Sequence, residues 1–101
     1  MAPLRPLNLR YSARARLQLL AVHEYISGQG NPEAALRVGA MIREAADLLR
    51  HFPHAGRLGR ASGTREWVVR QLPYVIVYEV DVEERSEVTI LGVFHARQDR
   101  S

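Results

Sequence analysis

The sequence predicts an α+β domain: an N-terminal strand and an antiparallel helical hairpin packed on one face of a small antiparallel sheet, in the order β-α-α-β-β-β. Three observations predict it. Two segments in the first half place apolar residues at steps of three and four, which is the helical period. After Thr64 the pattern changes to alternation, the period of strands. Capping residues and Gly or Pro breakers stand at most of the boundaries between these segments. With 101 residues and 47% hydrophobic composition, the chain is one domain's worth, and the domain is expected to fill residues 1–101 with tails at 1–6 and 98–101.

Taken in order, Leu7 to Tyr11 alternates as a half-buried strand does. Ser12 follows as an N-cap, and Ala15, Leu19, Val22 and Ile26 then form one helical face. Gly28-Gln29-Gly30 ends that helix. Asn31 caps a second helix, with Pro32 in its first turn and Glu33 at the positive end of its dipole. Its stripe runs Ala35, Val38, Ile42, Ala45, Leu49 and Phe52, and Pro53 stops it. A link this short requires the two helices to pack antiparallel. The glycine-rich loop from Pro53 to Thr64 leads into a strand at Arg65–Gln71, with Trp67 and Val69 on one side and Glu66, Val68 and Arg70 on the other. Leu72-Pro73 turns the chain into Tyr74–Val80, apolar on both faces as a central strand would be. An acidic turn at Asp81–Ser86 leads to the last strand, Val88–His95.

Composition removes several function classes. The absence of cysteine excludes disulfides, thiolate metal sites and thiol nucleophiles. All 14 basic residues are arginine, so neither a lysine Schiff base nor a P-loop lysine is available, whereas the guanidinium fork for phosphate or carboxylate is. No stretch approaches the roughly 20 apolar residues of a membrane span. No long apolar segment follows the N-terminal charges, and the expectation is a cytoplasmic protein without a signal peptide.

Charge is unevenly distributed. Residues 50–70 hold Arg50, Arg57, Arg60, Arg65 and Arg70 against Glu66 alone, and residues 79–87 reverse the sign. His51 and His54 are interrupted by Pro53, and no acidic partner stands at ligand spacing, so no metal site or cofactor is expected. The serines lie in caps, turns or the tail, and no nucleophile motif surrounds them. What remains is a cationic set: Arg57 and Arg60 on the loop, Arg65 and Arg70 on the strand it enters, and His95 and Arg97 ending the last strand. Such a set suits an anionic partner, nucleic acid or an acidic protein segment. Alternatively, these arginines solvate an edge or pair with Glu66 and Asp99. In an antiparallel meander, Arg65 and His95 fall at opposite ends of the sheet, which gives two basic patches. On the helices, Leu20, Tyr25, Leu36, Met41 and Leu48 lie off the main stripes and offer apolar surface to a partner's helix.

Several segments, in order and spacing, resemble the RelE/ParE superfamily of toxins from bacterial type II toxin–antitoxin operons. They are YSARARLQLLAVHEYI, NPEAA at 31–35, LLRHFPHAGRLGR at 48–60, GTRE at 63–66, PYVIVY at 73–78 and VFHARQD at 93–99. The NPEAA and F-P-x-x-G-R patterns and the long hairpin look most like the ParE branch. That branch implies a poison of DNA gyrase that stabilises the cleaved-DNA complex without chemistry of its own. The RelE branch implies instead a ribosome-dependent mRNA endonuclease, for which Arg65, His95 and Arg97 would have to serve. Its members resemble one another in a crowd of lysines and arginines and often a C-terminal tyrosine or histidine, whereas this chain has no lysine and no tyrosine after Tyr78. A non-toxic member acting in antitoxin-dependent operon autoregulation is a further alternative. Either toxic branch implies a cognate antitoxin in a hetero-oligomer: a small dimeric DNA-binding protein whose C-terminal segment wraps the toxin. Its acidic residues would meet Arg57, Arg60 or Arg65, with its helix on Leu20, Tyr25, Leu36 and Met41.

Overall fold

A computed structural model describes residues 5–97. Residues 1–4 of the expected N-terminal tail, the whole expected C-terminal tail and the possible partner Asp99 lie outside the described residues. The elements run β1 (Asn8–Tyr11), α1 (Ala13–Gly28), α2 (Pro32–Leu49), β2 (Arg57–Leu58), β3 (Arg65–Val68), β4 (Tyr74–Asp81) and β5 (Glu87–His95). They build an α+β domain whose five-stranded sheet has the order β1-β5-β4-β3-β2.

The helix boundaries follow their capping chemistry. Ser12 Oγ accepts the Ala15 amide at 3.1 Å, and Asn31 Oδ1 accepts the Ala34 amide at 3.1 Å. Gly30 adopts φ +85°, which lets the chain reverse between the helices. Ala15, Ile42, Ala46 and Leu49 are buried in the core, with Leu19, Val22, Val38 and Ala45 packed against it. Phe52 departs from its expected place on the α2 stripe and is 50% exposed. The helix ends at Leu49, and the His51 amide bonds back only three residues to Leu48, which turns Phe52 away from the core.

Sheet and expectation differ in three respects. First, β1 runs parallel to β5, so the sheet is mixed rather than wholly antiparallel. A hairpin fixes antiparallel pairing, but β1 reaches β5 only after the whole helical pair, and such a connection permits either direction. Second, the glycine-rich loop contributes β2, which pairs Arg57 with Glu66 and Leu58 with Arg65. Third, β5 contains a bulge. Val77 faces Gly92 and Tyr78 faces Ile90, leaving Leu91 as an extra residue. The bulge puts Val88, Ile90 and Val93 in one core although strict alternation would have aligned Leu91, Val93 and His95.

The amino-terminal half of α1 supplies the bulge with its hydrogen bonds. Ser12 Oγ donates to the Leu91 carbonyl at 3.1 Å, the Ser12 amide donates to the Ile90 carbonyl at 2.9 Å, and Gln18 Oε1 accepts the Val93 amide at 2.8 Å. At the carboxy-terminal end of α2, Arg50 holds the N-terminal strand. Its Nε donates to the Leu7 carbonyl at 2.7 Å, and its own carbonyl accepts the Leu7 amide at 3.1 Å.

The face of the sheet opposite this core is only partly open: Val68 is half exposed there, yet Glu66, Val75, Thr89 and Phe94 are buried. Arg14 reaches the Phe94 ring, its guanidinium carbon 5.1 Å from the centroid.

Candidate functional site

The cationic set divides between the two ends of the sheet, as the meander argument required. Arg65 stands opposite Tyr78 and His95 opposite Tyr74, so four steps along β4 separate them. At roughly 3.3 Å per residue, that is on the order of 13 Å. Arg57 and Arg60 accompany Arg65. Arg70, expected on the strand, lies instead in the turn after β3, which ends at Val68, at the end where His95 and Arg97 close β5.

At the Arg65 end, the segment leaving α2 is held by buried hydrogen bonds. Tyr78 is fully buried; its hydroxyl donates to the Pro53 carbonyl at 2.8 Å and accepts the Gly56 amide at 2.9 Å. Burial raises the Tyr78 pKa above 10.0, while the Gly56 bond and nearby Arg65 oppose that rise. Only glycine fits at position 56, since a β-carbon there would come within 2.6 Å of the Tyr78 hydroxyl and 2.7 Å of the Glu66 carbonyl oxygen. Arg65 is half-buried, and its Nη1 donates to the carbonyls of Gly56 at 2.8 Å and His54 at 3.4 Å. Arg57 Nη2 donates to Glu66 Oε1 at 3.1 Å in an ion pair whose arginine side chain is 61% exposed and whose carboxylate side is 5% exposed. Arg60 is exposed on the loop beyond.

The His95 end is built around a cleft. About 510 Å³ lies between α1 and the sheet, bounded by Gln18, Val22, Tyr25, Tyr74, Val93 and His95 among others. The rings of Tyr74 and His95 meet edge to face at 5.7 Å. Nδ1 of His95 accepts the Arg97 amide at 3.2 Å, and the Ala96 amide donates to the Pro73 carbonyl at 2.7 Å. Burial raises the Tyr74 pKa, and the neighbouring Tyr25 adds to the rise. Arg70 and Arg97 are exposed.

The helical pair also carries exposed apolar side chains. Leu20, Tyr25, Leu36 and Leu48 are exposed, Tyr25 at 66% beside the cleft, whereas Met41 is only half-exposed. Leu17 is exposed on α1 as well. Among the described residues, no group of three His, Asp or Glu side chains is placed to hold a metal ion, and no helix is long and apolar enough to cross a membrane.

Sequence reasoning missed Gln18, Tyr78 and the burial of Glu66. The signal for Glu66 was available only through β2: its carboxylate is enclosed beside Arg57, the residue across the ladder. Tyr78 was legible as part of an apolar strand, but its hydroxyl's partners lie 22 and 25 residues away.

Comparison with known proteins places this geometry in context. The sequence model of the family described as "ParE toxin of type II toxin-antitoxin system, parDE" matches residues 9–100. Y4kP of Sinorhizobium fredii, which carries the name of a toxin, is 40% identical over 91 residues, covering 90% of each chain. Toxin RelE2 of Caulobacter vibrioides is 46% identical over 67 residues, covering 66% of this chain and 73% of that protein. Among solved structures, the chromosomal ParDE system of P. aeruginosa superimposes with TM-score 0.78 at 23% identity, covering 88% of this chain and 95% of that one. The RelBE2 toxin–antitoxin complex of Mycobacterium tuberculosis gives TM-score 0.67 at 26% identity, covering 94% and 97%.

Proposed function

The chain belongs to the ParE toxin family of type II toxin–antitoxin systems, and from that premise we propose that it inhibits DNA gyrase by stabilising the enzyme's cleaved-DNA complex, without chemistry of its own, until a cognate antitoxin neutralises it. The observation that carries this reading over the ribonuclease one is the separation of the cationic set. Cutting RNA through its own 2′-hydroxyl requires a base, an acid and cations converging on one phosphate. Arg65 and His95 stand at opposite ends of the sheet, and one nitrogen of Arg65 is bound to backbone carbonyls. Separated cationic patches suit a protein that grips a large target at several points.

An antitoxin partner is supported by the exposed apolar residues of the helical pair, chiefly Leu20, Tyr25 and Leu36, with Met41 half-exposed. Isolated exposed leucines are ordinary, but this many on two packed helices suit a partner's helix. The M. tuberculosis neighbour was solved as a toxin–antitoxin complex.

The test uses toxin freed of any antitoxin, supercoiled plasmid, gyrase and ATP, with linear DNA scored after protein digestion. Toxin-dependent linear DNA that the antitoxin abolishes is the expected result. The relatives named RelE2 and RelBE2 favour a second reading, mRNA cutting at the ribosome. Absence of linear DNA with a folded toxin, together with ribosome-dependent cleavage lost on replacing His95, would establish that reading instead. Inactivity in both assays would point to a member confined to antitoxin-dependent autoregulation.

A further inference from the structure

The cleft at the His95 end holds polar groups that the fold leaves unused. Tyr74 is only 9% exposed, and His95 meets its ring edge to face. Its hydroxyl makes no hydrogen bond among the described residues, although buried hydroxyls ordinarily find a partner. The Tyr78 hydroxyl, on the same strand, has two. Gln18 is in a similar position. Its Oε1 accepts the Val93 amide, which fixes the carboxamide and leaves the two N–H donors of Nε2 without a hydrogen bond among the described residues. Both residues line the cleft, with Tyr25 beside them.

Size, walls and charge select the occupant. A volume of about 510 Å³ lies within the roughly 300–1,000 Å³ of small-molecule sites. Val22, Pro73 and Val93 supply apolar walls and Tyr25 and Tyr74 aromatic ones, which suit a flat ring. None of the lining residues is Arg, Asp or Glu, while Arg70 and Arg97 stand exposed at the same end. A carboxylate would lose its water without gaining a cation there, and a cation would meet those arginines. An uncharged ring is therefore favoured. The donors set its polar atom: a carbonyl oxygen has two lone pairs and accepts from both an N–H and an O–H. A helix lying across the mouth would not reach a tyrosine so enclosed, whereas a single ring entering edge-first does.

We propose that this cleft binds a free, uncharged aromatic molecule bearing a carbonyl, with its ring against Val22 and Val93 and its oxygen accepting from Gln18 Nε2 and the Tyr74 hydroxyl. The inference goes beyond the toxin reading. It requires neither gyrase nor an antitoxin, and it gives the His95 end an input from a small molecule.

The test is an NMR titration of the full chain, isotopically labelled, with benzamide and its charged isosteres benzoate and benzamidinium. Benzamide should shift the Val93 amide and Gln18 Nε2 signals saturably, and bind at least about tenfold more tightly than either charged probe. Equal or tighter binding of a charged probe at the same signals overturns the proposal, as does the absence of saturable shifts with benzamide. Tyr74→Phe removes the hydroxyl without removing a hydrogen bond of the folded chain, so it should weaken benzamide severalfold at an unchanged melting temperature. Ala21→Phe, at an exposed position on the cleft wall, should fill the mouth and abolish binding. Full affinity in either variant overturns the assignment. The last arm is the blocked amino acid acetyl-tyrosine-amide. If it binds about tenfold more tightly than benzamide, the cleft takes a side chain of another protein and the free-molecule proposal fails, whereas binding no tighter than benzamide upholds it.

Discussion

The two ends of the sheet carry the same kinds of residue, a tyrosine of β4 with arginines and a histidine around it, and use them differently. At the Arg65 end, the Tyr78 hydroxyl bonds two backbone groups of the loop, Arg65 bonds two more, and Glu66 is buried against Arg57. At the His95 end, Tyr74 meets His95 ring to ring beside a broad cleft, and Arg70 and Arg97 are exposed. At the first end side chains bind the backbone of a loop, and at the second the two arginines are exposed beside a cleft. Position on a sheet thus says less about a cation's availability than the backbone acceptors placed around it.

That contrast is sharpest in the tyrosines. Tyr78→Phe leaves the Gly56 amide and the Pro53 carbonyl buried without their partner, and should cost about 2–4 kcal/mol in denaturant unfolding. Tyr78→Phe melting like the parent would show that the loop is held by something other than this hydroxyl. Ser12→Ala removes both the α1 cap and the bond to the Leu91 carbonyl at the bulge, and should cost about 1–2 kcal/mol by the same measurement. A smaller effect concerns alkaline pH. Tyr11, Tyr74 and Tyr78 all have pKa values raised by burial above 10.0. The unfolded chain therefore loses these protons first, and their contribution, complete below pH 10, declines as pH rises through the folded-state values. Tyr78→Phe should flatten that decline, and a pH-stability curve with unchanged slope would contradict it. Smallest of all, Tyr74→Phe and Arg97→Ala should each shift stability by less than about 0.5 kcal/mol. If the His95 end faces the target, Arg97→Ala should instead reduce cleaved-DNA formation, and equal loss of stability at both ends would dissolve the distinction between them.

Much of this was legible in the residues. Ser12, Asn31, Pro32 and Gly30 act locally, and their effect on helix boundaries follows from backbone chemistry within a turn. The α2 stripe was legible for the same reason, save at Phe52, beyond the point where the helix ends. The division of the cations between two ends followed from counting strand reversals. What escaped was set by distant partners. The direction of β1 depends on β5, almost eighty residues on, and the burial of Glu66 depends on a two-residue strand with no period to detect. Gln18 reads as an ordinary helical glutamine until the bulge it serves is known.

The bulge at Leu91 also makes the strand sensitive to parity. Each residue added to a strand turns the following side chain over, so one supernumerary residue reverses every facing downstream of it. Val93 lies in the core, and both it and His95 border the cleft, because of the two residues between Ile90 and Val93 one, Leu91, does not count. Pairing Leu91 into the ladder as an ordinary residue would send Val93 and His95 through to the Phe94 side and bring Phe94 inward, whereas deleting it would leave their facing unchanged. One end of the molecule would exchange its inside for its outside while residues 87–90 kept their places. The position of a functional surface thus turns on whether one residue of a nine-residue strand is counted into the ladder.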